Sequence, residues 1–252
     1  MDKKQQLLDR LTAIGDSLGA TGQALALLGL GSVGLETDRL DAFSDLDFFA
    51  IVKPGHKSRF LSRLDWLESA YPLVYFFQNT VDGYKALYDD GIFCEFAIFE
   101  PQELSAIPFA NGRIVWKEPG FDETICLPHP HYPAERSVET LLGEALTNLY
   151  VGLGRYHRGE KLSGVRLVQG HAVDRVIELT KHLETARLFP KDSFDPQRRY
   201  EFRYPETASL LPEFIQGYGR NIESAKAILA FLDEHFEVNA AIGDAILARC
   251  EP

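Results

Sequence analysis

Apolar residues recur along the chain with two different periods. In the first 18 residues, apolar side chains recur at helical spacing between charged ones (Leu7, Leu11, Ile14 and Leu18), which predicts an amphipathic surface helix. Short runs rich in aromatic and β-branched residues follow and predict strands. These runs are ALALLGL (24–30), DLDFFAIV (45–52), LVYFF (73–77), YKALY (84–88) and GIFCEFAIF (91–99).

The connections between these runs indicate how the strands pair. Residues 56–70 repeat apolar positions at helical spacing, which predicts a helix after the second strand. The polar segment QNTVDG and the turn YDDG each separate two apolar runs, and both are typical of antiparallel connections. We therefore expect a mixed sheet with helices in the first half of the chain.

A change of period divides the chain near residue 130. Pro128, Pro130 and Pro133 exclude a regular helix and mark a linker, and the pattern after Ala134 is helical. The sequence therefore predicts an α+β protein, with a mixed-sheet domain over 1–127 and an all-helical domain over 134–252. His129 and His131 lie in the linker, where no third ligand is nearby, so we expect a solvated segment there rather than a metal site.

Composition and net charge restrict the classes of molecule that the protein is expected to bind. A net charge of −11 argues against a general nucleic-acid surface, which needs clustered Lys and Arg. Three scattered cysteines fit neither a disulfide framework nor a zinc site, and a cytoplasmic location fits best. The longest apolar run, 24–35, is too short to span a bilayer, and the charged N-terminal segment does not resemble a signal peptide. We therefore expect no membrane partner.

The run DLDFFAIV contains two aspartates, Asp45 and Asp47, in what is otherwise predicted to be a buried strand. In a strand Asp45 and Asp47 share one face, with Cα atoms ~6.5 Å apart. Two carboxylates on a half-buried strand repel each other and resist desolvation. Magnesium would remove both costs, because it takes hard oxygen ligands and shares its coordination sphere with substrate phosphates.

Two further segments could complete this site. Gly31 and Ser32 end an apolar strand and could cradle a phosphate if a helix or a nest of amides follows, although Gly-Ser pairs are also common turns. Glu95 is the only charge in its apolar run. It could face the same site if its strand lies beside the Asp45–Asp47 strand, or it could point to water from an edge strand. We favour the first interpretation.

These motifs resemble those of the nucleotidyltransferase superfamily with the DNA polymerase β-like fold. The similarity is greatest to the bacterial lincosamide and aminoglycoside nucleotidyltransferases, and it rests on Gly31-Ser32, the segment FSDLD (43–47) and the segment CEF (94–96). An Arg-Gly-Glu element at 158–160 matches their helical domain. The resemblance implies that Asp45, Asp47 and Glu95 are catalytic and bind two Mg²⁺, and that Gly31, Ser32 and Ser44 bind the nucleotide.

The chain differs from many members of this family in the segment after Gly31-Ser32 that would contact the triphosphate. Many relatives carry Lys or Arg shortly after the Gly-Ser pair, whereas the first basic residue after the pair here is Arg39. The resemblance implies that cations of the helical domain close over the nucleotide, which adds Arg158, Lys161 and Arg166 as nucleotide-binding residues. The alternative for these three is a solvated helix end, where cations are favoured.

The expected function is transfer of a nucleoside monophosphate, AMP from ATP, to a hydroxyl of a small molecule such as an antibiotic. The partners are then a nucleoside triphosphate and a small hydroxylated acceptor, with a homodimer left open. Two alternatives remain. One is a regulatory module that binds nucleotide without turnover. The other is a toxin–antitoxin nucleotidyltransferase that modifies protein or tRNA.

Overall fold

The computed structural model describes residues 2–128, 135–189, 192 and 195–251. The chain divides into two compact units, Met1–Tyr132 and Pro133–Pro252, and each is described by itself. His129 and His131 lie outside the described residues, so the expectation of a solvated linker there stays a prediction.

One sheet and three helices form the described part of the first unit. The strands are β1 (Ala24–Gly29), β2 (Leu46–Val52), β3 (Leu73–Gln78), β4 (Gly83–Tyr88), β5 (Phe93–Phe99) and β6 (Arg113–Lys117), and the helices are α1 (Lys3–Ala20), α2 (Lys57–Ser62) and α3 (Asp65–Glu68). The strand order is β3-β4-β5-β2-β1-β6. Strands β2 and β5 pair in parallel, and the other neighbours pair antiparallel. The sheet is therefore mixed, as the sequence predicts.

Side chains of β2 alternate between two apolar clusters, one on each face of the sheet. Leu46, Phe48, Ala50 and Val52 pack in the cluster that contains the buried face of α1. Phe49 and Ile51 belong to a smaller cluster on the opposite face, with Phe99, Leu104 and Phe109. Because Asp47 has the same parity as Phe49 and Ile51, it lies on the face of the smaller cluster.

The structure confirms the first helix and the five predicted strands, and it changes two other elements. Strand β6 was not predicted, because the short run RIVWK (113–117) is bounded by charged residues and shows no clear alternation. The predicted helix over 56–70 forms as two short helices, α2 and α3, which are separated at Arg63 and Leu64. Arg63 has extended backbone, with φ of −143° and ψ of 116°, which ends α2.

The described part of the second unit is helical. Its helices are α4 (Val138–His157), α5 (Lys161–Val165), α6 (Val173–Leu179), α7 (Tyr200–Arg203), α8 (Pro205–Ala208), α9 (Leu211–Phe214), α10 (Asn221–His235) and α11 (Ala240–Ala248), and a π-helical segment spans Arg166–Ala172. Leu149, Leu153, Val168, Ile228 and Leu232 are fully buried in its core. The predicted fold class, a mixed α+β sheet followed by helices, is confirmed. None of the helices in the described ranges is long and apolar enough to cross a membrane.

Candidate active site

The predicted acidic residues lie at the starts of the paired strands β2 and β5. The backbone N–H of Leu30, which follows β1, donates to the carbonyl of Asp47 over 2.8 Å. In the parallel pairing, Asp47 lies opposite Glu95. Asp45, Asp47 and Glu95 are all half-buried. The pairing on which a shared site depends is therefore present, and Glu95 is on an inner strand rather than on an edge.

Gly31 brings the backbone against Asp47. Its φ of +52° lies in the left-handed region that favours glycine. A Cβ added at Gly31 would lie 3.4 Å from Asp47 Oδ2 and 4.0 Å from Arg39 Nη2. Gly31–Val33 forms a single 3₁₀ turn, so the amides here belong to a turn and not to the start of an α-helix. Ser32 lies half-buried in the same turn.

Lys85 is a site residue that the sequence interpretation missed. It lies opposite Glu95 in the β4–β5 pairing, and its Nζ is 2.9 Å from Glu95 Oε2. The hydrogen bond to Glu95 raises the pKa of Lys85, and the charges of Asp45 and Asp47 raise it further. Lys85 is therefore a permanent cation among three carboxylates at neutral pH.

Asn79 also contacts Glu95. Its Nδ2 donates to Glu95 Oε1 over 3.0 Å, while its Oδ1 is buried without a hydrogen-bond partner in the described part of the chain. A buried acceptor with no donor costs free energy. A donor group of a bound molecule would remove that cost.

Arg39 folds back to the turn at Gly31. The chain from Ser32 to Asp45 includes a second 3₁₀ turn, Thr37–Arg39, and Arg39 Nη2 lies 4.0 Å from the position that a Cβ on Gly31 would occupy. Arg39 pairs with Glu36, only 19% of its side chain is exposed, and its Nε is buried without a described hydrogen-bond partner. The sheet unit thus places a cation beside the Gly-Ser turn, although in sequence it lies seven residues after Ser32.

Ser44 is already bonded within its own loop. Its hydroxyl accepts from the backbone N–H of Asp41 over 2.9 Å and donates to Asp41 Oδ1 over 3.1 Å. Asp41 also accepts from the N–H of Phe43 over 2.8 Å. Asp41 therefore orders the loop that leads into Asp45, and the role of Ser44 in nucleotide binding stays a prediction.

The donor set is of the kind that magnesium takes. Asp47 supplies hard carboxylate oxygens from β2, and Asp45 supplies them from the position just before that strand. Mg²⁺ commonly binds one or two protein carboxylates together with substrate phosphates. In the described part of the chain, no group of three or more His, Cys, Asp or Glu residues forms a metal-binding arrangement. The carboxylate of Glu95 contacts Lys85 and Asn79 instead. Magnesium binding by all three acids stays a prediction.

Cys94 does not offer a nucleophile beside Glu95. It is fully buried in the core on the opposite face of the sheet, and burial raises the pKa of its thiol to about 12. A thiol that is protonated at neutral pH and inaccessible is unreactive. Cys94 is a small apolar core residue here.

The predicted basic residues of the helical unit lie at the turn from α4 to α5 and beyond it. Arg158 pairs with Glu160, with its Nε 3.0 Å from Glu160 Oε1. Lys161 begins α5, and Arg166 begins the π-helical segment. All three are exposed, and their contact with a nucleotide stays a prediction.

Comparison with known proteins adds little to this geometry. No protein-family model matches the chain, and no curated protein matches it. Among solved structures, the chain is similar to an aminoglycoside 6-adenyltransferase from Bacillus subtilis, with 12% identity and a TM-score of 0.37 over 99% of this chain and 92% of that one. A similarity at this level carries no conclusion about the function of this chain.

Proposed function

We propose that the protein is a magnesium-dependent nucleotidyltransferase that moves a nucleoside monophosphate from a triphosphate, ATP in the simplest case, to a hydroxyl of a small molecule. The observation that carries the proposal is the parallel pairing that sets Asp47 opposite Glu95, with the Gly31 turn against Asp47. The resemblance of Gly31-Ser32, Asp45-Leu46-Asp47 and Glu95 to nucleotidyltransferase motifs supports it.

Asp45 and Asp47 would hold the metal. When bound, magnesium would supply positive charge to the phosphate oxygens of the nucleotide and to the pyrophosphate that leaves. Gly31 would let the backbone approach the phosphates closely, since a Cβ would occupy space next to Asp47. Arg39 and Lys85 would be the protein cations nearest to a polyanionic substrate.

Glu95 would accept the proton of the attacking hydroxyl. A general base must lie within hydrogen-bond reach of that proton, and Glu95 shares its face of the sheet with Asp47. The unpaired Oδ1 of Asn79 would accept a hydrogen bond from the same acceptor molecule. The chain's part in the reaction is then to orient the substrates and to remove a proton, with electrostatic support from Arg39 and Lys85.

We expect ATP binding to depend on magnesium. Three carboxylates repel free ATP, whereas Mg²⁺ both neutralises Asp45 and Asp47 and binds the phosphates. Calorimetric titration of ATP should give a measurable heat with excess Mg²⁺ and much weaker binding in excess EDTA. Equal affinity in the two buffers would contradict metal-bridged binding and favour a metal-independent nucleotide-binding module.

Replacing Arg39 by alanine should raise the KM for ATP with little change in the KM for the acceptor. The guanidinium group lies beside Gly31, and a charge-assisted hydrogen bond to phosphate contributes on the order of tenfold in affinity. Arg63→Ala is a suitable control, because it removes an exposed cation from the same unit. Equal KM values for ATP in Arg39→Ala and in the unaltered protein would place the phosphates elsewhere.

A further inference from the structure

The sheet of the first unit has two edge strands, β3 and β6, and their chemistry differs. β6 has a cation at each end (Arg113 and Lys117), and the ring of Trp116 in β6 lies directly on Gly19 of α1. Charged side chains and covering elements are common means by which proteins keep an edge strand from pairing with another chain. β3 has neither a charged side chain nor a covering element.

β3 is apolar and exposed on both of its faces. Tyr75 and Phe77 lie on the same face of the sheet as Lys85, and Phe76 lies on the face of Ala86. Tyr75 is 55% exposed, Phe76 is 51% exposed and Phe77 is 44% exposed. Single exposed apolar residues are ordinary, whereas a contiguous exposed apolar patch marks a surface that binds another molecule.

The same edge carries no charge. Residues 71–81 include no Asp, Glu, Lys, Arg or His, in a chain with a net charge of −11. Two copies of an acidic protein repel each other in general, but pairing along this segment sets no like charges opposite one another. Lys85, on the neighbouring strand, is already paired with Glu95. A strongly charged partner would find no opposite charge along β3, so the edge suits a second copy of the chain.

The backbone of β3 presents hydrogen-bonding groups at this edge. The N–H of Asn79 donates to the carbonyl of Gly83 over 3.2 Å, and the register with β4 is regular over 75–78. Hydrogen-bonded pairs alternate with non-hydrogen-bonded pairs along an antiparallel ladder. The N–H and C=O of Phe77 therefore point toward β4, and those of Phe76 point outward, where another strand can bond to them.

The exposed apolar area is of the size that a specific dimer needs. A half-exposed aromatic or branched side chain leaves roughly 100 Å² uncovered. Covering six such side chains would bury about 600 Å² per copy, or about 1,200 Å² in total, which is the lower end of the range for specific interfaces. The six residues are Tyr71, Val74, Tyr75, Phe76, Phe77 and Val81.

We infer that β3 pairs with β3 of a second copy of the chain, antiparallel about a twofold axis at Phe76. A strand that pairs with itself in this way forms an isologous contact, which closes at two copies. Phe76 then lies opposite itself and exchanges both backbone hydrogen bonds. Tyr75 of each copy lies opposite Phe77 of the other, so aromatic side chains meet across the strands. The two six-stranded sheets become one continuous sheet.

Sedimentation equilibrium on the full chain tests this pairing. The unaltered protein should have the mass of a dimer. Phe76→Lys and Phe76→Glu should each raise the Kd of the dimer by at least about tenfold, because like charges then lie opposite each other at the axis. An equimolar mixture of the two variants should restore the dimer, because opposite charges then meet at the axis.

Phe202→Lys is the matched control. Phe202 is a phenylalanine of similar exposure, 60%, in the second unit, and its replacement should leave the mass of the dimer unchanged. Far-UV circular dichroism should show the same helix and strand content in all variants. A monomeric unaltered protein, a mixture that stays monomeric, or equal dimer stability in Phe76→Lys and Phe202→Lys would overturn the inference.

A cysteine cross-link tests the register without adding charge. In a hydrogen-bonded antiparallel pair, the two Cα atoms are about 5.5 Å apart, which is within the range of a disulfide. The natural cysteines are buried. With a mild oxidant, Phe76→Cys should give a disulfide-linked dimer on a non-reducing gel, and Phe202→Cys should remain a single chain. Equal cross-linking of the two variants, or none in Phe76→Cys, would contradict a twofold axis at Phe76.

Discussion

Replacing Asp47 by asparagine is expected to lower the rate of nucleotidyl transfer by about 10²-fold or more, the scale of losing one well-placed electrostatic stabiliser. Asp47 lies against the Gly31 turn and opposite Glu95, so its carboxylate is next to both parts of the proposed site. Asp45→Asn should have an effect of the same order, because Asp45 shares the proposed metal. Rates at saturating ATP and Mg²⁺ measure both effects.

Asp38→Asn is the matched control for these variants. Asp38 is exposed in the loop between Ser32 and Asp45, so the substitution removes one charge without touching the proposed site. Its rate should equal that of the unaltered protein. The midpoints of thermal unfolding of Asp45→Asn and Asp47→Asn should stay level, because the repulsion among the carboxylates and the attraction to Lys85 decrease together. Full activity in either variant would contradict the site.

Glu95→Gln is expected to reduce the rate by about 10²–10⁴-fold, the usual contribution of a general base. The amide keeps the size of the side chain but cannot accept the proton of the acceptor hydroxyl. If Glu95 is the base, the rate of the unaltered protein should fall at low pH and that of the variant should not, while the affinity of the variant for Mg²⁺ changes little. A pH–rate profile and a magnesium titration on the same variant measure the two properties.

Glu68→Gln provides the comparison for this experiment. Glu68 is exposed at the end of α3. The rate and the pH profile of the Glu68→Gln variant should therefore match those of the unaltered protein. A Glu95→Gln variant with weakened Mg²⁺ binding would make Glu95 a metal ligand instead of the base. A variant with normal rate and normal magnesium affinity would exclude both roles.

The sequence predicts the centre of the candidate site better than its surroundings. Alternation along the run DLDFFAIV predicts that Asp45 and Asp47 share one face, which follows from the period of two in a strand. Glu95 is identified as the single charge in the run 91–99. The pairing of β2 with β5 is an expectation that the structure confirms.

Lys85 and Arg39 could not be placed in the same way. In the run YKALY, Lys85 has the pattern of an ordinary exposed strand residue, and only the register between β4 and β5 brings it to Glu95. The position of Arg39 depends on two 3₁₀ turns and a left-handed glycine, none of which has a periodic pattern. Register and loop geometry are tertiary properties, and local sequence determines them weakly.

Nucleotidyl transfer to a small molecule can be followed directly with two labels of ATP. The protein is incubated with Mg²⁺ and ATP labelled at either the α- or the γ-phosphate, with a panel of aminoglycosides, lincosamides and hydroxylated metabolites. Nucleotidyl transfer predicts that the α-label appears on a small molecule while the γ-label is released in pyrophosphate, and that Asp47→Asn slows both processes by about 10²-fold or more. Transfer of the γ-label to the acceptor, or α-label found only on protein or RNA, would contradict the claim.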